Sequence, residues 1–344
     1  MARFFFLLSG EHSSLPAAEV VGACEALGHT FKPVDVLDQV LVGETSAEPA
    51  VLAERLAMSW MIGFHLFTSP AFKREILDSL FSSDFLEIFN PRKTFAITVK
   101  RIKRSAQHLQ TPELEKWLAE KISREVKFKT DLRNPEFELV FVLTGESCVG
   151  GVKVAEVDRK RFTARRPSRR PAFHPSTLTP VLARCMVNLA RTPPGGIFLD
   201  PFCGVGGILI EAGLVGAIPV GIDIKPEMVE GAKKNLEAFG IRDYRLEVGD
   251  ARKLGGMEVD AIATDPPYGR QATTAGSEVW DLYRESLHSM TEVLKPGRFL
   301  CITAPADIRE TGKEAGLEVV DYHEQKVHRS LIRCFHVFRK PGSF

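Results

Sequence analysis

The 344-residue sequence has no two cysteines spaced as C-x-x-C. Its six cysteines, Cys24, Cys148, Cys185, Cys203, Cys301 and Cys334, lie far apart. That spacing excludes a zinc ribbon or a disulfide framework, and a reducing cytoplasm is the expected compartment. No stretch approaches the roughly 18 consecutive apolar residues of a membrane span. The run Phe4–Leu8 is too short for the core of a secretory signal, and no small-residue cleavage site follows it. It reads as a buried strand. Neither sign of charge is in excess, with 45 Lys and Arg against 44 Asp and Glu, so the total points to no acidic or basic partner. Amide side chains are scarce (four Asn, five Gln), as in heat-adapted proteins. No fixed-period repeat is present, which excludes a solenoid. What remains is an ordinary packed protein, 44% hydrophobic and 26% charged, long enough for two or three domains.

The first half is mixed in character. Phe4–Leu8, Phe95–Val99 and Glu138–Leu143 read as strands from their β-branched and aromatic residues. Ala17–Ala26 has helical spacing. Thr111-Pro112-Glu113 opens a second helix, with Leu114, Trp117, Leu118 and Ile122 on one face. This is an α+β pattern. Near residue 159 the composition shifts. Seven of the twelve residues from Arg159 to Arg170 are basic and none is acidic, and Pro171, Pro175 and Pro180 follow. Prolines so dense oppose helix, so the segment reads as an extended basic linker.

Beyond it, strands and helices alternate. Strands end at Asp200, Asp223, Val248 (before Gly249-Asp250) and Thr264 (before Asp265), and another spans Phe299–Thr303. Helices fall at Gly207–Leu214, Pro226–Phe239 and Asp281–Leu294. Alternation of this kind builds a parallel, doubly wound sheet, which binds ligands beyond the carboxyl ends of its strands. Four acids stand at those ends.

Asp200-Pro201-Phe202-Cys203-Gly204-Val205-Gly206-Gly207 is a glycine turn between strand and helix. Leu209 stands where a dinucleotide fingerprint needs its third glycine, and there is no P-loop lysine. Asp223, 23 residues after Asp200, can accept both hydroxyls of a ribose. Asp250 can accept from an exocyclic amine, and Asp200 can face an ammonium group. A nucleoside carrying an amino acid, without pyrophosphate, satisfies all three. S-adenosyl-L-methionine is such a molecule. Asp265-Pro266-Pro267-Tyr268-Gly269 then offers a carboxylate and a fixed backbone carbonyl to the two hydrogens of a nucleobase amine. Those acceptors stabilise the positive charge that develops as nitrogen takes a methyl group. Tyr268 supplies a ring for an unstacked base.

Both motifs resemble those of class I amino-methyltransferases that modify nucleic acids, and within them the archaeal tRNA (guanine-10 N2)-methyltransferases. Further likeness lies in Phe173-His174-Pro175, Thr179-Pro180-x-Leu182-Ala183-Arg184 and Val327-His328-Arg329-Ser330-Leu331-Ile332-Arg333. Phe95–Arg101, Asp131-Leu132-x-Asn134-Pro135 and Glu138–Phe141 are similar to THUMP segments. The resemblance implies an α/β architecture: a ferredoxin-like domain at 1–60, a THUMP RNA-binding domain at 61–155, the basic linker at 156–175 and a Rossmann-like class I methyltransferase sheet at 176–344. It implies that Asp200, Gly204, Gly206 and Gly207 line the methionine end of the cofactor, Asp223 and Ile224 the ribose and adenine edge, and Asp250 and Ala251 the adenine. Asp265, Pro266 and Tyr268 would be catalytic, and Thr179 would stand near the cofactor carboxylate. One or two methyl groups would go to the same guanine amine.

Two basic runs support tRNA as the partner. Arg92–Arg104 carries six basic residues and no acid. Lys100, Arg101, Lys103 and Arg104, with Arg165, Arg166, Arg169 and Arg170, are the expected phosphate contacts. His174 is expected to pack or cap, Trp280 and Tyr283 to sit in a core, and Gln271–Gly276 reads equally as a lid or a surface loop. No metal and no membrane are expected, and the resemblance implies a monomer, with an activating partner protein left open. Three alternatives remain at this stage: guanine-N2 methylation at another RNA position, a DNA amino-methyltransferase, and a non-catalytic RNA-binding protein.

Overall fold

The apolar run at Phe4–Leu8 lies in the middle of a sheet, between two neighbours, as its lack of polar residues requires. We describe a computed structural model over residues 1–175, 177–268, 277–328 and 331–342. The chain forms two units. The first comprises Met1–Ser13, Thr30–Glu54 and Ser59–Asp158. The second comprises Ser14–His29, Arg55–Met58 and Arg159–Phe344.

The first unit is one eight-stranded sheet. Its strands are β1 (Ala2–Leu8), β2 (Phe31–Leu37), β3 (Val40–Thr45), β4 (Ser59–Pro70), β5 (Thr94–Arg101), β6 (Lys129–Thr130), β7 (Phe137–Thr144) and β8 (Ser147–Glu156). Their spatial order is β2-β3-β1-β4-β8-β7-β5-β6. β5 runs parallel to β6 and β7, and the other pairs are antiparallel. Gly63 on β4 is needed because the Phe5 ring lies across it; a Cβ there would come within 2.0 Å of that ring. Helix Thr111–Glu125 buries Leu114, Leu118 and Ile122 against Phe95, Phe137 and Phe141, the face its spacing predicts.

The second unit holds β9 (Ile197–Asp200), β10 (Ile218–Asp223), β11 (Arg245–Val248), β12 (Val259–Thr264), β13 (Leu294–Ala304), β14 (Glu318–His328) and β15 (Leu331–Arg339). The order is β11-β10-β9-β12-β13-β15-β14. The first five are parallel, as the alternation predicts, and β15 enters antiparallel between β13 and β14. This is the Rossmann-like α/β sheet the sequence implies. Successive strand residues feed two cores. Phe198 packs with helices Pro180–Leu189 and Gly207–Leu214, while Leu199 packs with Tyr283, Leu287 and Met290 of helix Ser277–Val293. Tyr283 is buried and Trp280 packs beside it, as expected.

Helix Leu15–Ala26 packs within this second unit although it follows β1 in sequence. It approaches helix Pro180–Leu189 so closely that a Cβ at Gly22 would meet the Asn188 carbonyl oxygen at 2.4 Å. Glu19, fully buried, anchors it. Its carboxylate accepts from the amides of Ala57 (3.0 Å) and Met58 (2.8 Å) and from Asn188 Nδ2 (3.0 Å).

The segment expected to be an extended linker is folded. Lys160–Ala164 is helical, Pro167–Arg169 is a 3-10 turn, and Phe162, Arg165 and Arg170 are buried. The prolines begin only at Pro167, after the helix, so the steric argument against helix does not reach it. Among the described residues no helix is long and apolar enough to cross a membrane.

Glu19→Ala leaves the Ala57 and Met58 amides without a buried partner and Asn188 Nδ2 with only the Arg55 carbonyl (3.3 Å). The expected loss is about 3 kcal/mol of stability, read as a lower denaturation midpoint. A midpoint within about 0.5 kcal/mol of the parent would show that this helix is not anchored through Glu19.

Candidate active site

Beyond the carboxyl ends of β9 to β12 lies a cleft of about 760 Å³. Its walls include Gly204, Asp223, Ile224, Asp250, Ala251, Asp265, Pro266, Tyr268 and Arg333. A smaller cavity of about 80 Å³ adjoins it, lined by Thr177, Asp200, Gly204, Gly207 and Asp265. The two share His174, Phe202, Gly204 and Asp265. Most residues picked out by the motifs are thus brought together. Gly206 lines neither space. It takes a left-handed conformation (φ 79°) against Ala232, where a Cβ would come within 3.1 Å of that side chain. It shapes the turn that starts helix Gly207–Leu214.

The strand-end acids have distinct environments. Asp200 is 1% exposed. Burial pushes its pKa up to about 7, against hydrogen bonds from the Thr264 hydroxyl (2.7 Å) and the Phe202 amide (3.2 Å). Asp223 accepts from the Gly204 amide (2.9 Å) and the Lys225 amide (3.0 Å), which ties the glycine turn to the end of β10. Asp250 pairs with Arg252 through both carboxylate oxygens, and that pairing lowers its pKa. Ile224 is 64% exposed, so an apolar surface faces the cleft with no other cover.

Asp265 sits in a polar network. Its Oδ1 accepts from the Tyr268 hydroxyl (2.5 Å) and from the Thr303 hydroxyl. Arg333 Nε donates to the Tyr268 oxygen at 2.9 Å and lies 3.9 Å from Asp265 Oδ1. Asp265 Oδ2 has no hydrogen-bond partner among the described residues. Arg333 received no role from the sequence. The signal was its place in the Val327–Arg333 motif, of which Arg329 and Ser330 lie outside the described residues. The loop Gln271–Gly276 lies outside them as well.

Three expectations change. His174 lines both spaces instead of serving only packing. Thr179 is exposed and caps helix Pro180–Leu189, accepting weakly from the Leu182 amide at 3.4 Å; Thr177 is the threonine at the small cavity. The third concerns the basic residues. Arg165 is buried in an ion pair with Glu211 (2.7 Å), and Arg170 is 6% exposed, so neither is placed to meet a phosphate. Arg101 spends its guanidinium on the carbonyls of Ser105, Ala106 and Leu109, and Lys103 pairs with Asp38 at 2.8 Å. Lys100, Arg104, Arg166 and Arg169 are exposed.

The glycine turn, the acid-tipped parallel strands and the acceptor at Asp265 fit an adenosyl ligand beside a base-sized space. Comparison with known proteins agrees. Residues 167–334 match the RMKL-like methyltransferase domain model and residues 74–149 the THUMP domain model. A tRNA (guanine(10)-N2)-dimethyltransferase of Methanothermobacter thermautotrophicus is 35% identical over 97% of this chain and 98% of its own. One of Pyrococcus abyssi is 36% identical over the same shares. The chain belongs to the tRNA (guanine(10)-N2)-dimethyltransferase family. Among solved structures, TrmN from Thermus thermophilus shares the fold, with TM-score 0.52 and 22% identity over 98% of this chain and 99% of that one.

In this family member Asp200 makes a pH-dependent contribution to folding. Its folded pKa lies above that of an unfolded aspartate, so folding favours the protonated form. The contribution is complete below about pH 4 and is lost as pH rises through about 7, on the order of 4 kcal/mol in all. Asp200→Asn cannot ionise. Without ligand it should therefore match the parent near pH 4 and exceed it near pH 8 in chemical denaturation. Equal stability of the two proteins at both pH values would show that Asp200 carries no burial penalty.

Proposed function

We propose that this protein transfers methyl groups from S-adenosyl-L-methionine to the exocyclic N2 amine of guanine 10 in tRNA, in two successive rounds. The observation that carries the reading is the D-P-P-Y acceptor at the end of β12, opening on the same cleft as the Asp223 and Asp250 carboxylates. Full-length similarity to two dimethyltransferases supports the substrate.

The residues present suit the cofactor. Asp223 keeps lone pairs for ribose hydroxyls, Ile224 offers an apolar face to the adenine, and Asp250 with Ala251 borders its edge. Asp200 faces the amino-acid tail across the small cavity. A cleft of about 760 Å³ is of the size that holds a nucleoside cofactor and a base. When bound, S-adenosylmethionine supplies an electrophilic methyl group.

The chain's own part is acceptance and orientation. Asp265 Oδ1 is taken by two hydroxyls, which leaves Oδ2 and the Pro266 carbonyl for the two amine hydrogens. Holding both hydrogens aims the nitrogen lone pair and stabilises the charge that grows on nitrogen during transfer. Proline on either side of that carbonyl fixes its direction. Tyr268 presents its ring to the base while Arg333 holds its hydroxyl. The proton lost afterwards leaves through Oδ2 toward water in the open cleft, since Oδ1 is already saturated with donors.

The N-terminal ferredoxin-like and THUMP parts would dock the tRNA, with Lys100, Arg104, Arg166 and Arg169 as phosphate contacts, and the enzyme would act as a cytoplasmic monomer. A second reading has support in a tRNA (guanine(6)-N2)-methyltransferase of Thermus thermophilus, 30% identical over 57% of this chain. Mapping the methylated position separates the two.

Incubation with labelled cofactor and unmodified tRNA transcript, followed by nucleoside mass analysis, should give N2-methyl- and N2,N2-dimethylguanosine. Asp265→Ala should lose about 10²- to 10³-fold in rate while binding S-adenosylhomocysteine as the parent does. Label in a different nucleoside, or an active Asp265→Ala variant, would overturn the assignment.

A further inference from the structure

Among the described residues, the cations Lys225, Arg252 and Arg333 border the large cleft. Lys225 is exposed, and Arg252 gives its guanidinium to Asp250 and Glu285. Arg333 differs from both. Its side chain is 14% exposed, and its Nε lies 3.9 Å from Asp265 Oδ1. That Nε donates to the Tyr268 oxygen at 2.9 Å, and the guanidinium carbon is 5.8 Å from the centre of the Tyr268 ring. Holding a phenol oxygen takes one N–H of a guanidinium and leaves the rest. Neither Nη1 nor Nη2 has a hydrogen-bond partner among the described residues, and neither is sealed from the cleft.

A cation here works against the reaction unless the substrate answers it. Positive charge grows on the amine nitrogen beside Asp265 as the methyl group arrives, and a guanidinium at the same carboxylate opposes it. A neutral donor would hold the Tyr268 hydroxyl as well. The spare N–H groups therefore call for an acceptor on the substrate. Guanine has O6 at the far end of the edge that carries its N2 amine. Adenine, placed with its own amine at Asp265, turns a C–H to that position. Depth decides between the acceptors of guanine. N3 lies beside the glycosidic bond, and the ribose must stay at the mouth of the cleft because the strand continues from it. O6 lies on the edge remote from the sugar. That edge enters furthest, to where Asp265 and Arg333 are 16% and 14% exposed. Pro267, Leu282 and Leu331 line the same cleft and present apolar side chains, which offer O6 no donor.

We infer that Arg333 reads the target base, its Nη groups donating to guanine O6 while Asp265 and the Pro266 carbonyl hold the N2 amine. The inference rests on the methyltransferase reading and adds the residue that tells guanine from adenine at one acceptor pair. Adenine leaves the guanidinium unpaired in a shielded place, which is how a polar site rejects a base lacking the matching group.

The test compares single-turnover rates on tRNA carrying one of three nucleosides at position 10. These are guanosine, 2-aminopurine riboside (amine kept, O6 absent) and 6-thioguanosine (amine and N1–H kept, oxygen replaced by sulfur). The parent should methylate guanosine about 10- to 100-fold faster than 2-aminopurine, with 6-thioguanosine between them. Arg333→Met should slow on guanosine until the two rates agree within about 3-fold, and Arg333→Lys should keep part of the preference. Loss of support to Tyr268 alone would slow every substrate alike and leave the ratio unchanged, so an unchanged ratio in Arg333→Met overturns the inference. Equal parent rates on guanosine and 2-aminopurine overturn it without any variant. Where Arg333→Met does not fold, the parent on 6-thioguanosine decides: a rate equal to that on guanosine overturns the inference, and a slower one upholds it. No transfer to guanosine by the parent would instead sink the methyltransferase reading.

Discussion

The arrangement of the site depends on one buried carboxylate. Glu211 is fully buried in helix Gly207–Leu214, the helix that the glycine turn starts. Arg165 reaches it from the segment before residue 170 and Arg184 reaches it from helix Pro180–Leu189. Two neighbouring pieces of chain are thereby held in register with helix Gly207–Leu214, whose first residues line the small cavity. Buried ion pairs are poor sources of net stability, since desolvation consumes most of the attraction. Their value here is geometric: a packing that takes Glu211 away leaves two buried guanidiniums without their counter-charge, so alternative packings of the segment are costly. The 165–170 stretch is set in place by that penalty, and with it the direction of Arg170.

The second constraint is the sheet. β9 lies between β10 and β12, so the chain winds away from it on both sides and a crevice opens above its end. Asp200 ends β9 at the floor of this crevice and is consequently the most buried of the four acids. Gly221 on β10 pairs with Asp200, which places Asp223 two residues further out, toward solvent. The difference in depth explains the difference in chemistry. Asp223 meets backbone amides in a partly exposed setting, while burial drives the Asp200 pKa up to about 7. A deep carboxyl poised near neutrality suits an ammonium partner that arrives with the ligand, because the ion pair then forms where water is already excluded.

Much of this was legible in the sequence because the signals were local. The helix at Gly207–Leu214 follows from glycine punctuation and apolar content, and the acids at strand ends follow from alternation. What escaped was long-range. Helix Leu15–Ala26 shows an ordinary apolar pattern, and nothing in it reveals that Glu19 will find its donors at Ala57, Met58 and Asn188. The run Arg159–Arg170 reads as a solvated stripe because its counter-charge lies 46 residues from Arg165. A signal did exist at the other end. Glu211 is a lone acid in Gly-Ile-Leu-Ile-Glu-Ala-Gly-Leu, and an acid in so apolar a helix must have a cationic partner. Read from Glu211 instead of from the arginines, the burial of Arg165 could have been anticipated. Arg170 could not, since its environment is built by the turn at Gly206-Gly207 and by Thr177, with no charge pattern to mark it.

Arg333 shows why a parallel sheet accepts one strand of opposite direction. β15 pairs antiparallel with β13, with Cys334 beside Ala304 and Arg339 beside Phe299. The start of an antiparallel strand lies at the edge where its parallel neighbour ends. Arg333, near the start of β15, therefore stands at the carboxyl edge, beside the ends of β12 and β13. Had the strand run parallel, that position would fall at the opposite edge, some six residues or about 20 Å away. The reversal delivers a cation from near the end of the chain to the Tyr268 hydroxyl, and Thr303, near the end of β13, delivers a second donor to Asp265 from the adjacent strand. Both contacts fall on Oδ1 or on the hydroxyl bound to it. Tyr268 and Thr303 thus commit Oδ1 of Asp265 to the protein and leave Oδ2 for substrate, and the inserted strand contributes by holding the Tyr268 hydroxyl.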